Sequence, residues 1–108
     1  MPASSREKGV KGEREVARIW QAAGFDVRSL EGQGDHLVVP GVGLDRWTNA
    51  SVTLHLEVKR QERVQLPIWL RQAAAEAPQG TLPVVCFRQN RSDWYAALPL
   101  AALVELVA

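Results

Sequence analysis

Cysteine is nearly absent from this sequence: its 108 residues contain Cys86 and no other. An internal disulfide and a cysteine-based zinc cluster are thereby excluded. Histidine is almost as scarce. His36 and His55 are far apart, and two imidazoles cannot fill a tetrahedral zinc shell without carboxylates. Long apolar runs are missing as well, and no stretch approaches the roughly 20 residues that a bilayer span requires. The opening MPASSREKGVKGERE has no apolar signal-peptide core. Nor is there an excess of one charge sign: 13 Lys and Arg against 12 Asp and Glu leave a formal net charge of +1, so the whole chain is no polyanion binder by bulk charge. Wholesale disorder is excluded by 46% hydrophobic and 23% charged residues, both near globular averages. The expectation is a soluble protein of a reducing compartment, with one domain over residues 1–108.

The bases that are present fall in groups. Residues 6–18 hold Arg6, Lys8, Lys11, Arg14 and Arg18, residues 59–71 hold Lys59, Arg60, Arg63 and Arg71, and Arg88 and Arg91 form a third set. If these segments share a face they suit a polyanion; taken singly they are ordinary solvated charges.

Periodicity predicts a helix from about residue 5 to residue 23. Ser4 and Glu7 fit a capping box, Val16, Trp20 and Ala23 form the apolar stripe, and Gly24-Phe25 reads as a left-handed cap with its apolar contact. Gly9 and Gly12 each cost about 1 kcal/mol relative to Ala inside a helix. Either the helix starts nearer Gly12 or something approaches its backbone closely there. Residues 25–28 alternate as a short strand, 35–39 form a second, and 52–59 are the clearest. There Val52, Leu54, Leu56 and Val58 face one way, and Thr53, His55, Glu57 and Lys59 the other. Pro67 opens a helix to about Ala77, 82–87 read as a buried strand, 93–98 as another, and Pro99 opens a C-terminal helix with Leu100, Leu103, Val104 and Val107 on one side. Helix, three strands, helix, two strands and helix make an α/β domain around a mixed sheet.

Glu57 and Lys59 are two residues apart on a strand whose other face is aliphatic, so a carboxylate and an ammonium project side by side from an anchored rib. Hard divalent cations take oxygen ligands, commonly one or two carboxylates with water and substrate phosphate, and can polarise a phosphodiester and activate water near neutral pH. Asp35, at the start of the preceding strand, is the natural second ligand. The Val58 carbonyl adds a neutral oxygen, and Glu13 a third carboxylate if the first helix packs across the sheet. Each has a plainer reading: Glu-x-Lys as a solvated strand pattern, Asp35 as a turn residue, Glu13 as a surface helix acid. The combination is what points to a site. Cys86 reads as a small core residue, His36 as structural, and the tryptophans as core or dimer contacts, with Trp47 set apart in a loop.

The segment Lys8-Gly9-Val10-Lys11-Gly12-Glu13-Arg14-Glu15-Val16 resembles the opening Lys-Gly-x-x-x-Glu-Arg helix of archaeal-type Holliday junction resolvases. Gly24-Phe25 with a short strand follows, as in that family. Gly34-Asp35-His36-Leu37-Val38 is similar to its Asp-plus-apolar strand, and Leu56-Glu57-Val58-Lys59 to its Glu-x-Lys strand. Gln72-Ala73 is similar to a Gln-Ala on its next helix, and 83–87, Trp94 and Pro99 to its closing strands and tail. The set belongs to the broader PD-(D/E)xK nuclease superfamily. Here Gly34 stands where the superfamily name has proline, and the segment from Asp35 to Glu57, with Trp47 and Asn49, is longer.

The resemblance implies a restriction-endonuclease-like core: a central mixed sheet of about five strands flanked by helices. It implies Glu13, Asp35 and Glu57 as the acidic residues of a Mg²⁺ or Mn²⁺ site, Lys59 as the catalytic lysine and Gln72 as a supporting residue. The activity implied is structure-selective DNA endonucleolysis, leaving 5′-phosphate and 3′-hydroxyl ends. Lys8, Lys11, Arg14, Arg60 and Arg63 would hold the phosphate backbone of branched or duplex DNA, which positions without reading sequence. A four-way junction needs two symmetric cuts, so a homodimer is expected, with a place in DNA recombination or repair in the cytoplasm: at the nucleoid, or in a host cell if virus-encoded. The alternatives are a nicking, flap or repair endonuclease of the same superfamily, or a DNA-binding protein that does not cut.

Overall fold

The computed structural model describes residues 5–30, 35–39 and 52–107. Helix α1 spans Ser5–Ala22, followed by strands β1 (Asp26–Leu30), β2 (Asp35–Val39) and β3 (Thr53–Arg60), helix α2 (Leu66–Glu76), strands β4 (Thr81–Arg88) and β5 (Tyr95–Ala97), and helix α3 (Leu100–Val107). The predicted capping box at Ser4 and the Trp47 segment lie outside the described residues.

Local chemistry fixes the element ends. The Phe25 amide donates to the Trp20 carbonyl (3.1 Å) and the Gly24 amide to that of Gln21 (3.0 Å), with Gly24 at φ 96°. This is a Schellman ending, closed by the edge-on contact of Phe25 with Trp20 at 5.0 Å. Pro67 sits in the first turn of α2, where its missing N–H costs nothing.

The strands form one sheet in the order β1-β2-β3-β4-β5, with side chains described throughout for β3, β4 and β5. β1, β2 and β3 run as an antiparallel meander. β3 and β4 are parallel, β4 and β5 antiparallel. A parallel pair cannot be joined by a hairpin, so the chain must cross over, and α2 is that crossover. The mixed α/β arrangement is consistent with a PD-(D/E)xK-type core.

The crossover puts helices on opposite faces of β3. On one side Val16 of α1 packs with Val52, Leu54, Leu56, Val84 and Cys86, and Leu106 of α3 joins the rim of this core. On the other, Trp69 and Ala73 of α2 pack with Val85. The helix does begin at Ser5, so the close approach to Gly12 is the alternative that holds. A Cβ at Gly12 would lie 3.3 Å from Arg60 Cβ and 3.3 Å from Trp94 Cη2. The absent side chain is what lets α1 settle on β3.

Candidate active site

The sequence predicts one apolar and one polar face for β3. Both faces are buried. Leu54 and Leu56 are enclosed as expected, but His55 is 0% and Glu57 5% exposed. The solvated strand pattern is therefore not what Glu57 and Lys59 form. The reason is the crossover: Glu57 and Lys59 pair in register with Val85 and Phe87 of β4, which belong to the core under α2.

Lys59 Nζ lies 3.4 Å from Glu57 Oε1, with side-chain exposures of 18% and 6%. This ion pair spans two residues of one strand and so ties no two elements together. Moving both charges out of water carries a penalty that their attraction repays only in part. Beside the pair, burial pushes the His55 imidazole below its ordinary value, against the opposing pull of Glu57 and Glu76.

Asp35 occupies the first position of β2. β2 and β3 pair His36 with Leu56, Leu37 with His55 and Val38 with Leu54; one further step of this antiparallel register sets Asp35 opposite Glu57. The backbones of the two acids thus come to the same end of adjacent strands. Glu13 is half-buried on α1. Its neighbour Gly12 touches Val58 and Arg60, which project from the face of β3 opposite to Glu57. Among the described residues no group of three or more His, Cys, Asp or Glu side chains is gathered around one point; the Asp35 side chain is not among them. The donors that are described, a buried carboxylate and the strand carbonyl of Val58, are hard oxygens and fit a divalent cation of the Mg²⁺ class. Gln72 donates to Glu76 Oε1 (3.3 Å) along α2.

On the opposite face lies a polar cluster that the sequence does not announce. Glu15 Oε2 accepts from Trp94 Nε1 at 2.9 Å and from Arg88 Nη1 at 3.3 Å, and Arg60 Nη1 stands 3.9 Å from Oε1. Arg88 also covers the Trp94 ring at 5.7 Å. Of the expected DNA-contacting residues, Arg60 is thus engaged by Glu15, Lys11, Arg14 and Arg63 are exposed, and the Lys8 side chain is outside the described residues. An open groove of about 470 Å³ runs between Gly9 and residues 58–63, with Lys59, Arg60 and Arg63 in its wall. Cys86 is buried as expected, and desolvation raises its thiol to about 12. No helix of the described residues is long and apolar enough to cross a membrane.

No curated protein matches the sequence. A family does: residues 4–108 match the family described as phage putative PDDEXK endonuclease. That match supports the PD-(D/E)xK superfamily and a nuclease, without singling out junction resolvases within it. The span covers nearly the whole chain, including the helix of Glu13, the strand of Asp35 and the Glu57-Val58-Lys59 rib, and the chain belongs to this family of PD-(D/E)xK-type endonucleases.

Proposed function

We propose that this chain is a metal-dependent, structure-selective DNA endonuclease, a Holliday junction resolvase, acting as a single nuclease domain. The observation that carries the reading is the Glu57–Lys59 pair, buried on one strand, with Asp35 one register step beyond the His36–Leu56 pairing. Asp35, Glu57 and the Val58 carbonyl would hold Mg²⁺ or Mn²⁺, and Glu13, borne by α1 on the other face of β3, would join the acidic set only by reaching around the strand. The bound cation would supply Lewis-acid polarisation of the scissile phosphate and a lowered pKa for water. Glu57 holds its carboxylate rigidly, because the strand beneath it is packed on both faces. Lys59 offers an ammonium where negative charge builds on the phosphate oxygens. Gln72 supports the site from α2. The groove along 58–63 receives the phosphate backbone, with Lys8, Lys11, Arg14, Arg60 and Arg63 as the cations.

Paired cutting of a junction calls for two sites related by a two-fold axis. The apolar side of α3, with Leu100 75%, Val104 60% and Val107 64% exposed, is the surface we assign to a homodimer. The phage family agrees with action in a host cell's cytoplasm.

The test is incubation of the intact chain with a synthetic four-way junction, a flap and a linear duplex, each with Mg²⁺ or EDTA, for wild type and Glu57→Ala. Paired, Mg²⁺-dependent cuts in the junction, lost in Glu57→Ala, are expected. Cutting of the flap or duplex in preference to the junction would move the protein to another nuclease class. Binding without cutting by wild type would refute catalysis.

A further inference from the structure

Two short segments meet at the end of the sheet where β3 and β4 terminate: residues 61–65, leading to α2, and residues 89–92, turning from β4 to β5. Arg60 and Arg88 are register partners there, and the Gln61 amide extends the pairing by donating to the Arg88 carbonyl at 3.2 Å. Beyond that point Glu62 takes over. Its backbone carbonyl accepts from Gln89 Nε2 at 2.6 Å, and its Oε1 accepts from the Asn90 amide at 2.6 Å. One residue thus fastens one segment to the other through both its main chain and its side chain.

The turn so fastened is not a relaxed one. Arg91 has φ 58°, the left-handed region that a long side chain seldom adopts. A strained conformation persists only where its surroundings over-determine it, and the Glu62 contacts supply that constraint. Arg63 and Arg91, both exposed, thus stand on the two segments that Glu62 fastens together. The neighbouring acids are occupied: Glu62 by the Asn90 amide, and Glu15 by Arg60, Arg88 and Trp94. Asp93 is the remaining acid of this turn. Arg63 also lines the groove that contains Lys59.

We propose that Arg63 and Arg91 form a clamp for the phosphate backbone of DNA beside the Glu57–Lys59 site, with Glu62 as the positioning residue that holds the two arginines together. The clamp rests on the nuclease reading for the identity of its ligand. It extends the DNA track from the groove, past the end of β4, to the β4–β5 turn. Guanidinium groups suit this role because their forked donors match phosphate oxygens.

The experiment is binding of the full chain to labelled duplex and four-way DNA in EDTA, followed by anisotropy over a series of salt concentrations. Arg63→Gln and Arg91→Asn (asparagine tolerates the left-handed backbone) are each expected to weaken binding about threefold. Each also reduces the slope of log affinity against log salt by about 1. Arg28→Gln, on β1 at the other edge of the sheet, serves as the charge-matched control and leaves the slope unchanged. Glu62 gives the sign test. Removing an acid that merely repels DNA would tighten binding, so Glu62→Ala and Glu62→Gln would tighten alike. Under the clamp, Glu62→Ala weakens binding although a negative charge has gone, and Glu62→Gln, which keeps an acceptor for the Asn90 amide, does not. An Arg63→Gln/Arg91→Asn double variant with wild-type affinity and slope, or a Glu62→Ala variant that binds as tightly as Glu62→Gln, overturns the clamp and leaves the nuclease reading intact. A wild-type chain that binds neither DNA overturns both.

Discussion

Strand β3 carries a carboxylate–cation cluster on each of its two faces, and the two are built for different ends. Under α1, Glu15 gathers Arg60 from β3, Arg88 from β4 and Trp94 from the segment before β5. Its side chain is 33% exposed, so desolvation is mild, and each contact joins separate elements. Under α2, Glu57 and Lys59 belong to one strand, their contact links nothing distant, and Glu57 is almost fully enclosed. The first cluster is a brace between three elements. The second sets a carboxylate that is almost fully enclosed beside an ammonium of its own strand, where taking charge out of water is costly. Carboxylate–cation contacts on the two faces of one strand thus differ in how deeply the carboxylate is buried and in what they connect.

The contrast can be broken by substitution. The largest effect is expected on the α2 side: Glu57→Gln or Lys59→Ala should reduce metal-dependent DNA cleavage at least about a hundredfold while DNA binding in EDTA survives. A sharper form is Glu57→Leu with Lys59→Met. Because replacing both members of a buried pair by apolar residues of similar volume is often neutral or stabilising, this double variant should be inactive yet unfold in urea no earlier than wild type. If it is much less stable, the pair is a structural brace after all.

The next effect belongs to the α1 side. Gly12→Val forces methyl groups against Arg60 Cβ and Trp94 Cη2. The helix must lift from β3, at about 1–3 kcal/mol by urea denaturation. Glu15→Ala should cost about 1 kcal/mol, discounted for its partial exposure, and should leave the cleavage rate of the remaining folded protein unchanged. Loss of cleavage in Glu15→Ala would join the two clusters into one site.

The smallest effect concerns Cys86, in the apolar core under α1. Burial raises its thiol to about 12 from an ordinary 9.0, so the folded state favours the protonated form. Its contribution to stability is complete below pH 9.0 and declines as pH rises toward about 12. At neutral pH, alkylation by iodoacetamide should be slow in the native protein and fast in urea. Rapid native alkylation would contradict the packing of this core.

How much of this could be read from residues alone varies with the range of the signal. The element order, the bounds of β2 and the Gly24-Phe25 ending follow from local patterns, and the structure reproduces them. Gly9 and Gly12 left two readings open, and Gly12 resolved as a point of close approach, a contact with β3 and Trp94 that helix propensity cannot display. The last strand is shorter than the alternation suggested, Tyr95–Ala97 rather than 93–98. The burial of Glu57 is not legible in local pattern. Alternation shows which residues share a face but not what covers it, and the cover arises from the crossover that parallel pairing of β3 and β4 requires. The Glu15–Trp94 bond spans 79 positions, and no local pattern encodes it. Of the candidate site, Glu57 and Lys59 come together, and Asp35 joins them by register. Glu13 lies on α1 over the other face, and Gln72 is directed to Glu76.

The central claim is that Glu57 is held for chemistry and Glu15 for structure. Single-turnover cleavage of a four-way junction in Mg²⁺ by wild type, Glu57→Gln and Glu15→Gln, each verified as folded, tests it most directly. The account predicts a rate lost in Glu57→Gln and kept in Glu15→Gln. Cleavage by Glu57→Gln at the wild-type rate would contradict it.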